Sequence, residues 1–393
     1  MPSIIVLDKL SPDGLALLDA AGRLGISYEV KTGLSGEELK NVLASHDGAI
    51  CRSGVKITAE VLAGNHRLRA IVRAGVGTDN IDKQAATRQG IVVMNTPAGN
   101  TVSTAEHAFT LLLALSRNVA PADASLREHR WDRGKYMGVQ LAGKTLGIVG
   151  MGRIGQAVAS RARAFDMRVV VFDPFLAAER AGELGVELVG SVREMLPELD
   201  YLTVHTPLTD DTRHLIGKEE LSLLKPGVRL INCARGGIYD EEALLEGLES
   251  GVLAGVALDV FESEPCTESP LFGRSDVLVT PHLGASTEEA QSQVAIEGVN
   301  LLTDFLRTGT IRHSVDSSPI DPADLEALRG FLDLGWRLGV LLSQLDDQPP
   351  KAVSIAYRGE IASRNTRLIT AAFAAGLLET ALEDVNIINA EML

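Results

Sequence analysis

The sequence predicts an α/β protein built on two doubly wound parallel sheets, with a partial α+β segment at its C-terminus. Three observations carry this. Short β-branched runs alternate with helix-sized amphipathic stretches through most of the 393 residues, as expected of strands covered by helices on both faces. The alternation occurs in two series separated by a long apolar helix, so two sheets are expected. After about residue 316 it stops.

In the first series Ser3–Leu7, Gly48–Cys51, Ala70–Arg73 and Ile91–Asn95 read as buried strands. Helices are expected over Asp13–Ala21, Gly36–Ser45 with Ser35 as N-cap, Ala59–Leu62 and Asp82–Gln89. Thr101–Arg117 then places Ala105, Ala108, Leu111, Leu112 and Leu115 at helical spacing, an alanine-rich face suited to a hinge or a subunit interface. The second series has strands at Thr145–Val149, Arg168–Phe172, Tyr201–Val204, Arg229–Asn232, Gly255–Asp259 and Val277–Thr280. An amphipathic helix, Thr287–Leu306, and a turn at Gly309 close it. In the tail we expect a helix near Asp324–Leu345, a break at Pro349-Pro350 and a strand at Ala352–Tyr357. An apolar helix near Arg364–Leu382 and a strand-like Val385–Ile388 follow.

Composition excludes several classes of function. The formal charge of −15, with no Lys/Arg run, disfavours nucleic acid as a partner. No apolar run approaches bilayer length and the chain opens directly on a strand, so neither a membrane span nor a targeting segment is expected. Cys51, Cys233 and Cys266 are too few for a disulfide framework, which points to a reducing, cytoplasmic compartment. The histidines are scattered, with no H-E-x-x-H or C-x-x-C, and no metal site is expected. No G-x-S-x-G supports a hydrolase.

The strongest local signal is Gly150-x-Gly152-x-x-Gly155 between a strand and a helical pattern, with Asp173 ending the next strand. Gly150 would permit the turn, Gly152 the approach of a pyrophosphate, and Gly155 the packing of helix on strand. Asp173 is placed to accept hydrogen bonds from ribose hydroxyls. Its charge would repel a 2′-phosphate, so NAD is favoured over NADP.

Arg235, Glu264 and His282 follow successive strands of the same series, where ligands sit in open α/β sheets. Each alone has an ordinary structural reading. Together they suit oxidation of a 2-hydroxy acid: His282 as base, Glu264 to orient it and stabilise imidazolium, and Arg235 to hold the carboxylate and the developing carbonyl oxygen.

The glycine turn, Asn232-Cys-Ala-Arg235-Gly236-Gly237, Asp259-Val-Phe-Glu262-Ser-Glu264-Pro265 and Thr280-Pro281-His282-Leu-Gly284 resemble the D-isomer-specific 2-hydroxyacid dehydrogenases over roughly the first 315 residues. The resemblance implies a Rossmann-type cofactor lobe, 99–286, inserted in a flavodoxin-like substrate lobe, 1–98 and 287–315. It implies NAD bound near Gly150, Gly152, Arg153, Ile154, Gly155, Asp173, Thr206, Pro207, Cys233, Ala234, Asp259 and Gly284. It also implies a homo-oligomer, a dimer joined through the cofactor lobes that a tetramer can extend.

Within that family the sequence is most similar to the branch that oxidises 3-phosphoglycerate to 3-phosphohydroxypyruvate, opening the phosphorylated route to L-serine. Cys51-Arg52-Ser53 and Ile71-Val72-Arg73-Ala74-Gly75-Val76-Gly77 put an arginine after each of two neighbouring strands, and guanidinium forks suit phosphate. By resemblance, Arg52, Ser53, Arg73, the amides of Val76 and Gly77, and Asn100 bind substrate, and Arg133 is lent across the dimer. The tail is similar to the opening of the intervening domain of long members, so 316–393 is expected to be part of one, without the regulatory ACT domain that follows it there. Two other readings stay open. A glyoxylate/hydroxypyruvate reductase is disfavoured by Arg52 and Arg73. An NAD-sensing, corepressor-type binding protein on the same fold would keep the triad and bind peptides.

Overall fold

Ile4 and Val6 belong to one apolar layer, with Leu18, Val299 and Leu302, whereas Ile5 and Leu7 belong to another, with Leu39, Leu43 and Leu62. Burial on both faces of a strand requires helices on both sides of its sheet. In the computed structural model, described over residues 1–89, 91–308, 311–315, 322–345, 352–363 and 366–379, the chain divides into two units. One comprises 1–100 with 287–393 and the other 101–286.

In the first unit β1 (Ser3–Val6), β2 (Ser27–Val30), β3 (Gly48–Cys51), β4 (Ala70–Arg73) and β5 (Val92–Asn95) form a parallel sheet of order β2-β1-β3-β4-β5. Helices α1 (Pro12–Gly22), α2 (Gly36–Ala44), α3 (Ala59–Leu62) and α4 (Lys83–Arg88) connect the strands. The side chains of Ser11, Thr58 and Asp82 cap α1, α3 and α4. Ser35 holds the cap position of α2 without a side-chain cap bond, and acidic Glu37 and Glu38 complement that helix start instead. β2 was not legible in sequence because this half-polar edge strand buries little.

In the second unit, α5 (Thr101–Ser116) and α6 (Val119–Arg127) precede seven strands. These are β6 (Thr145–Val149), β7 (Arg168–Phe172), β8 (Glu187–Leu188), β9 (Tyr201–Val204), β10 (Val228–Asn232), β11 (Leu253–Leu258) and β12 (Val277–Val279). They pair in parallel in the order β12-β11-β10-β9-β6-β7-β8. After β6 come α7 (Arg153–Ala164), α8 (Ala178–Leu184), α9 (Val192–Met195), α10 (Lys218–Leu221) and α11 (Glu241–Glu249). Leu146, Ile148 and Val171 pack with Leu112 of α5 and Val158 of α7, while Leu202, Leu230 and Val256 pack with Leu244 and Leu248 of α11. The chain leaves β6 toward β7 on one side and returns to β9 on the other. That switch of direction opens a crevice at the carboxyl ends of β6 and β9.

After this second series, α12 (Glu288–Thr308) contributes Val294, Val299 and Leu302 to the core of the first unit. α13 (Pro322–Leu345) and α14 (Arg367–Leu378) then pack through Leu328, Leu332, Ile369 and Ala372. The strand expected at Ala352–Tyr357 is not formed: residues 352–358 have no regular structure and pair with no strand among the described residues. Alternation alone cannot make a strand where no neighbour receives its hydrogen bonds. Gly309, Pro349-Pro350 and Val385–Ile388 lie outside the described residues. Among the described residues, no helix is long and apolar enough to cross a membrane.

Candidate active site

β6 delivers the chain into the glycine turn. Gly150 has φ +92°, and a Cβ there would lie 2.7 Å from the carbonyl oxygen of His205. A Cβ on Gly155 would lie 2.0 Å from the oxygen of Gly150, so only glycine lets α7 pack this close to the turn. Gly152, the N-cap of α7, is different: nothing lies within 4 Å of where its Cβ would be. The helix start is thus open to an anion, with Arg153 and Ile154 in its first turn.

Asp173, just beyond β7, is tied into this turn: Oδ2 accepts from the Met151 N–H at 2.6 Å and Oδ1 from the Phe175 N–H at 2.8 Å. Besides the ribose role expected from sequence, it therefore fixes the turn itself. Thr206 and Pro207 follow β9, and the buried Thr206 Oγ1 has no hydrogen-bond partner among the described residues. His205 beside it is half-buried, and desolvation pushes it down to about 4, so it is neutral at neutral pH. The bare helix start and the orphan Thr206 hydroxyl fit a dinucleotide. Cys233 and Ala234 follow β10; burial, and then the charge of Asp259, hold the Cys233 thiol well above its ordinary range, which makes it a packing residue rather than a nucleophile.

The triad residues come together. Asn232 closes the loop after β10 on itself, donating to the Arg235 carbonyl at 2.8 Å and accepting from the Ala234 N–H at 2.9 Å. At Gly236 a Cβ would lie 1.8 Å from the Phe261 oxygen, so glycine is what lets the arginine loop approach the Phe261–Glu264 loop. Glu264 accepts from the Phe261 N–H at 3.0 Å through Oε1 and meets His282 Nδ1 at 2.7 Å through Oε2. Burial pushes the Glu264 carboxyl up, but hydrogen bonds from His282 and Phe261 and the charge of Arg235 outweigh it and hold the group below its ordinary value. The carboxylate is therefore ionised, which places a proton on His282 Nδ1 and leaves Nε2 to accept one. The His282 side chain is half exposed, and its backbone has φ +56°.

Asp259, expected near the cofactor, is fully buried and engaged by protein donors that include the N–H groups of Leu283 and Gly284. Sequence reasoning missed His107 of α5, which also reaches this carboxylate. No pattern on its helix signals it, because Ser103, Thr104 and Thr110, one turn away on the same face, are polar as well.

Residues 109–284 match the NAD-binding domain of the D-isomer specific 2-hydroxyacid dehydrogenases, and 327–393 match the D-3-phosphoglycerate dehydrogenase intervening domain. The D-3-phosphoglycerate dehydrogenase of Methanocaldococcus jannaschii is 41% identical over 394 residues, spanning 100% of this chain and 74% of the relative. That of Bacillus subtilis is 42% identical over 388 residues, 98% of this chain and 73% of the relative. The chain belongs to the D-3-phosphoglycerate dehydrogenase family. It is an NAD-dependent dehydrogenase of the 2-hydroxyacid class. Among solved structures, the TT0316 protein of Thermus thermophilus is similar, with a TM-score of 0.72 and 36% identity over 80% of this chain and 99% of that one.

The residues that this family membership makes interesting in the first unit sit at strand ends. Cys51 of β3 is in register with Arg73 of β4, so Arg52 and Arg73 emerge from adjacent strands. The Arg52 N–H donates to Asp8 Oδ2 at 2.6 Å, and its buried Nε has no hydrogen-bond partner among the described residues. The Arg73 guanidinium lies across Gly75, where a Cβ would come 1.5 Å from Nη1. Burial pushes the Cys51 thiol up to about 12 even though the nearby Arg73 charge opposes this. Val76 is held through its carbonyl by Asn95 Nδ2 at 2.6 Å, Gly77 adjoins it, and Asn100 Oδ1 is buried with no hydrogen-bond partner among the described residues. Ser53 is exposed. Arg133 of the second unit opens a 3-10 turn, is exposed, and forms no hydrogen bond or ion pair with its own unit's triad among the described residues.

Proposed function

We propose that this chain oxidises D-3-phosphoglycerate to 3-phosphohydroxypyruvate, the first step of the phosphorylated route to L-serine. The observation that carries the choice of substrate is the pair Arg52 and Arg73 at the ends of adjacent strands, two always-charged forks suited to a phosphate dianion. Ser53, the amides of Val76 and Gly77, and Asn100 are assigned to the same substrate. Residues 1–98 with 287–315 then form the substrate domain, 99–286 the cofactor domain and 316–393 part of an intervening domain.

The turn Gly150–Gly155, Asp173, Thr206, Pro207, Cys233, Ala234 and Gly284 would hold NAD, which supplies the hydride acceptor; Asp259, wholly buried, would act on that site only through the loop it anchors. His282 Nε2 takes the hydroxyl proton as the C2 hydrogen leaves as hydride. Glu264 stabilises the resulting imidazolium through Nδ1, at 2.7 Å. Arg235 holds the substrate carboxylate and the oxygen that becomes the carbonyl.

A homodimer through the second unit completes the reading, with Arg133 offered to the neighbouring site. Its support is an exposed apolar stretch that includes Val119, Leu126, Trp131 (76% exposed) and Met137 (85% exposed). Three unpaired cysteines support a cytoplasmic location. The test is formation of NADH from NAD with 3-phosphoglycerate or glycerate. Turnover with the phosphorylated acid should far exceed that with glycerate; comparable rates would refute the substrate.

A further inference from the structure

The loop that carries His282 is wrapped around a carboxylate that never meets solvent. Asp259 is 0% exposed. Its Oδ1 accepts from the Thr280 hydroxyl and the Leu283 N–H, each at 2.6 Å, and its Oδ2 from the Gly284 N–H at 2.8 Å. Its carbonyl accepts from the His282 N–H at 2.8 Å. His282 sits between these anchors at φ +56°, a backbone conformation that a histidine adopts when its surroundings impose it.

One further donor comes from outside the loop. His107 Nε2 lies 3.1 Å from Asp259 Oδ1 and 3.0 Å from Thr280 Oγ1. The Thr280 hydroxyl gives its proton to Asp259, so toward His107 its oxygen can only accept. Both contacts of His107 are therefore acceptors, and Nε2 carries the proton. Burial pushes the Asp259 carboxyl up, yet the bonds from His107, Thr280 and the Leu283 amide hold it below its ordinary value. His107 stands on α5, and Ala105 and Leu112 of that helix pack in one cluster with Val158 and Ala162 of α7, the helix that begins at the cofactor turn. The bond thus ties the loop of the base to the helices that place the hydride acceptor.

We infer that His107 is a positioning residue for the base, acting on His282 through Asp259 and Thr280. The inference rests on the reading of His282 as that base. Geometry at reacting atoms must hold to about an ångström, and losing a hydrogen bond to a buried charge loosens it, so the cost should appear in the chemical step.

The experiment measures the pre-steady-state rate of NADH formation, KM for 3-phosphoglycerate and NADH affinity in wild type, His107→Leu, His107→Gln and Thr280→Val. His107→Leu should slow the chemical step about tenfold, with KM and NADH affinity each within about threefold. His107→Gln, which keeps a donor near the Nε2 position, should recover most of the rate. Thr280→Val should resemble His107→Leu, and the double variant should be little worse than either, because both act on one network. Should the leucine variant fail to fold, His107→Gln is compared with His107→Asn, whose donor falls short of Asp259, and only glutamine should retain the rate. Equal rates for the glutamine variant and whichever donor-deficient variant folds would overturn the inference. A wild-type enzyme inert toward 3-phosphoglycerate would instead sink the substrate reading, and the same variants would then be compared on glycerate.

Discussion

Glu264→Gln removes a charge while keeping the shape of the side chain, and its effect can be worked from one contact. The carboxylate meets His282 Nδ1 at 2.7 Å, with the two side chains 34% and 50% exposed. A hydrogen bond between charged groups is worth about 1.5–3 kcal/mol, and partial exposure puts this one near the lower end, about 1.5 kcal/mol. That is roughly a tenfold loss of support for the imidazolium formed as His282 takes the hydroxyl proton. Turnover should therefore fall at least tenfold, with NADH binding little changed. Against burial, His282, the Phe261 amide and the charge of Arg235 hold Glu264 below its ordinary value, so it is ionised near neutral pH and the support is present in the wild type. Initial rates of NADH formation at saturating substrate, with NADH affinity read by fluorescence, measure both effects. An unchanged rate would remove Glu264 from the mechanism, and an equal loss of NADH binding would show that the loop rather than the charge had failed.

Other perturbations should separate the parts of the site. His282→Ala should lower turnover roughly 10²–10⁴-fold with NADH binding, read by fluorescence, largely intact; a parallel loss of binding would show that the loop rather than the base had failed. Asp173→Ala should weaken NAD and narrow its advantage over NADP, and should lower the melting temperature because Met151 and Phe175 lose their acceptor. A wild-type enzyme that uses NADP as well as NAD would contradict the assignment of Asp173. Gly236→Ala should abolish activity and lower the melting temperature, since its Cβ would overlap the Phe261 oxygen at 1.8 Å; near-normal kinetics would mean that the two loops need not approach this closely.

Much of this molecule was legible before its structure. The glycine turn could be read because each glycine has a separate steric task, and strands buried on both faces announce themselves as unbroken β-branched runs. Arg235, Glu264 and His282 could be placed because strand ends in such sheets face the ligand. What escaped depends on partners distant in sequence. The bonds of Asp173 to Met151 and Phe175 fix the turn without leaving any pattern in the sequence. His107 reads as one histidine among eight until folding sets it against Asp259, 152 positions away. The stretch 352–357 alternates like a strand but has no strand partner among the described residues, and Ser35 has the right identity for a cap but no side-chain cap bond. Both are local signals that needed a partner.

Arg52 and Arg73 are assigned to the phosphate of the substrate, and the choice of substrate stands or falls with them. The measurement is kcat and KM for 3-phosphoglycerate and for a small unphosphorylated 2-hydroxy acid, in wild type, Arg52→Ala and Arg73→Ala. Each substitution deletes a charged fork worth on the order of 1.5–3 kcal/mol, about 10- to 150-fold in affinity. The phosphate end does not react, so the loss should fall on KM for 3-phosphoglycerate, with kcat and the unphosphorylated substrate changed little. An equal loss on both substrates would show that these arginines support the fold or the carboxylate, and would contradict the assignment of the phosphorylated substrate.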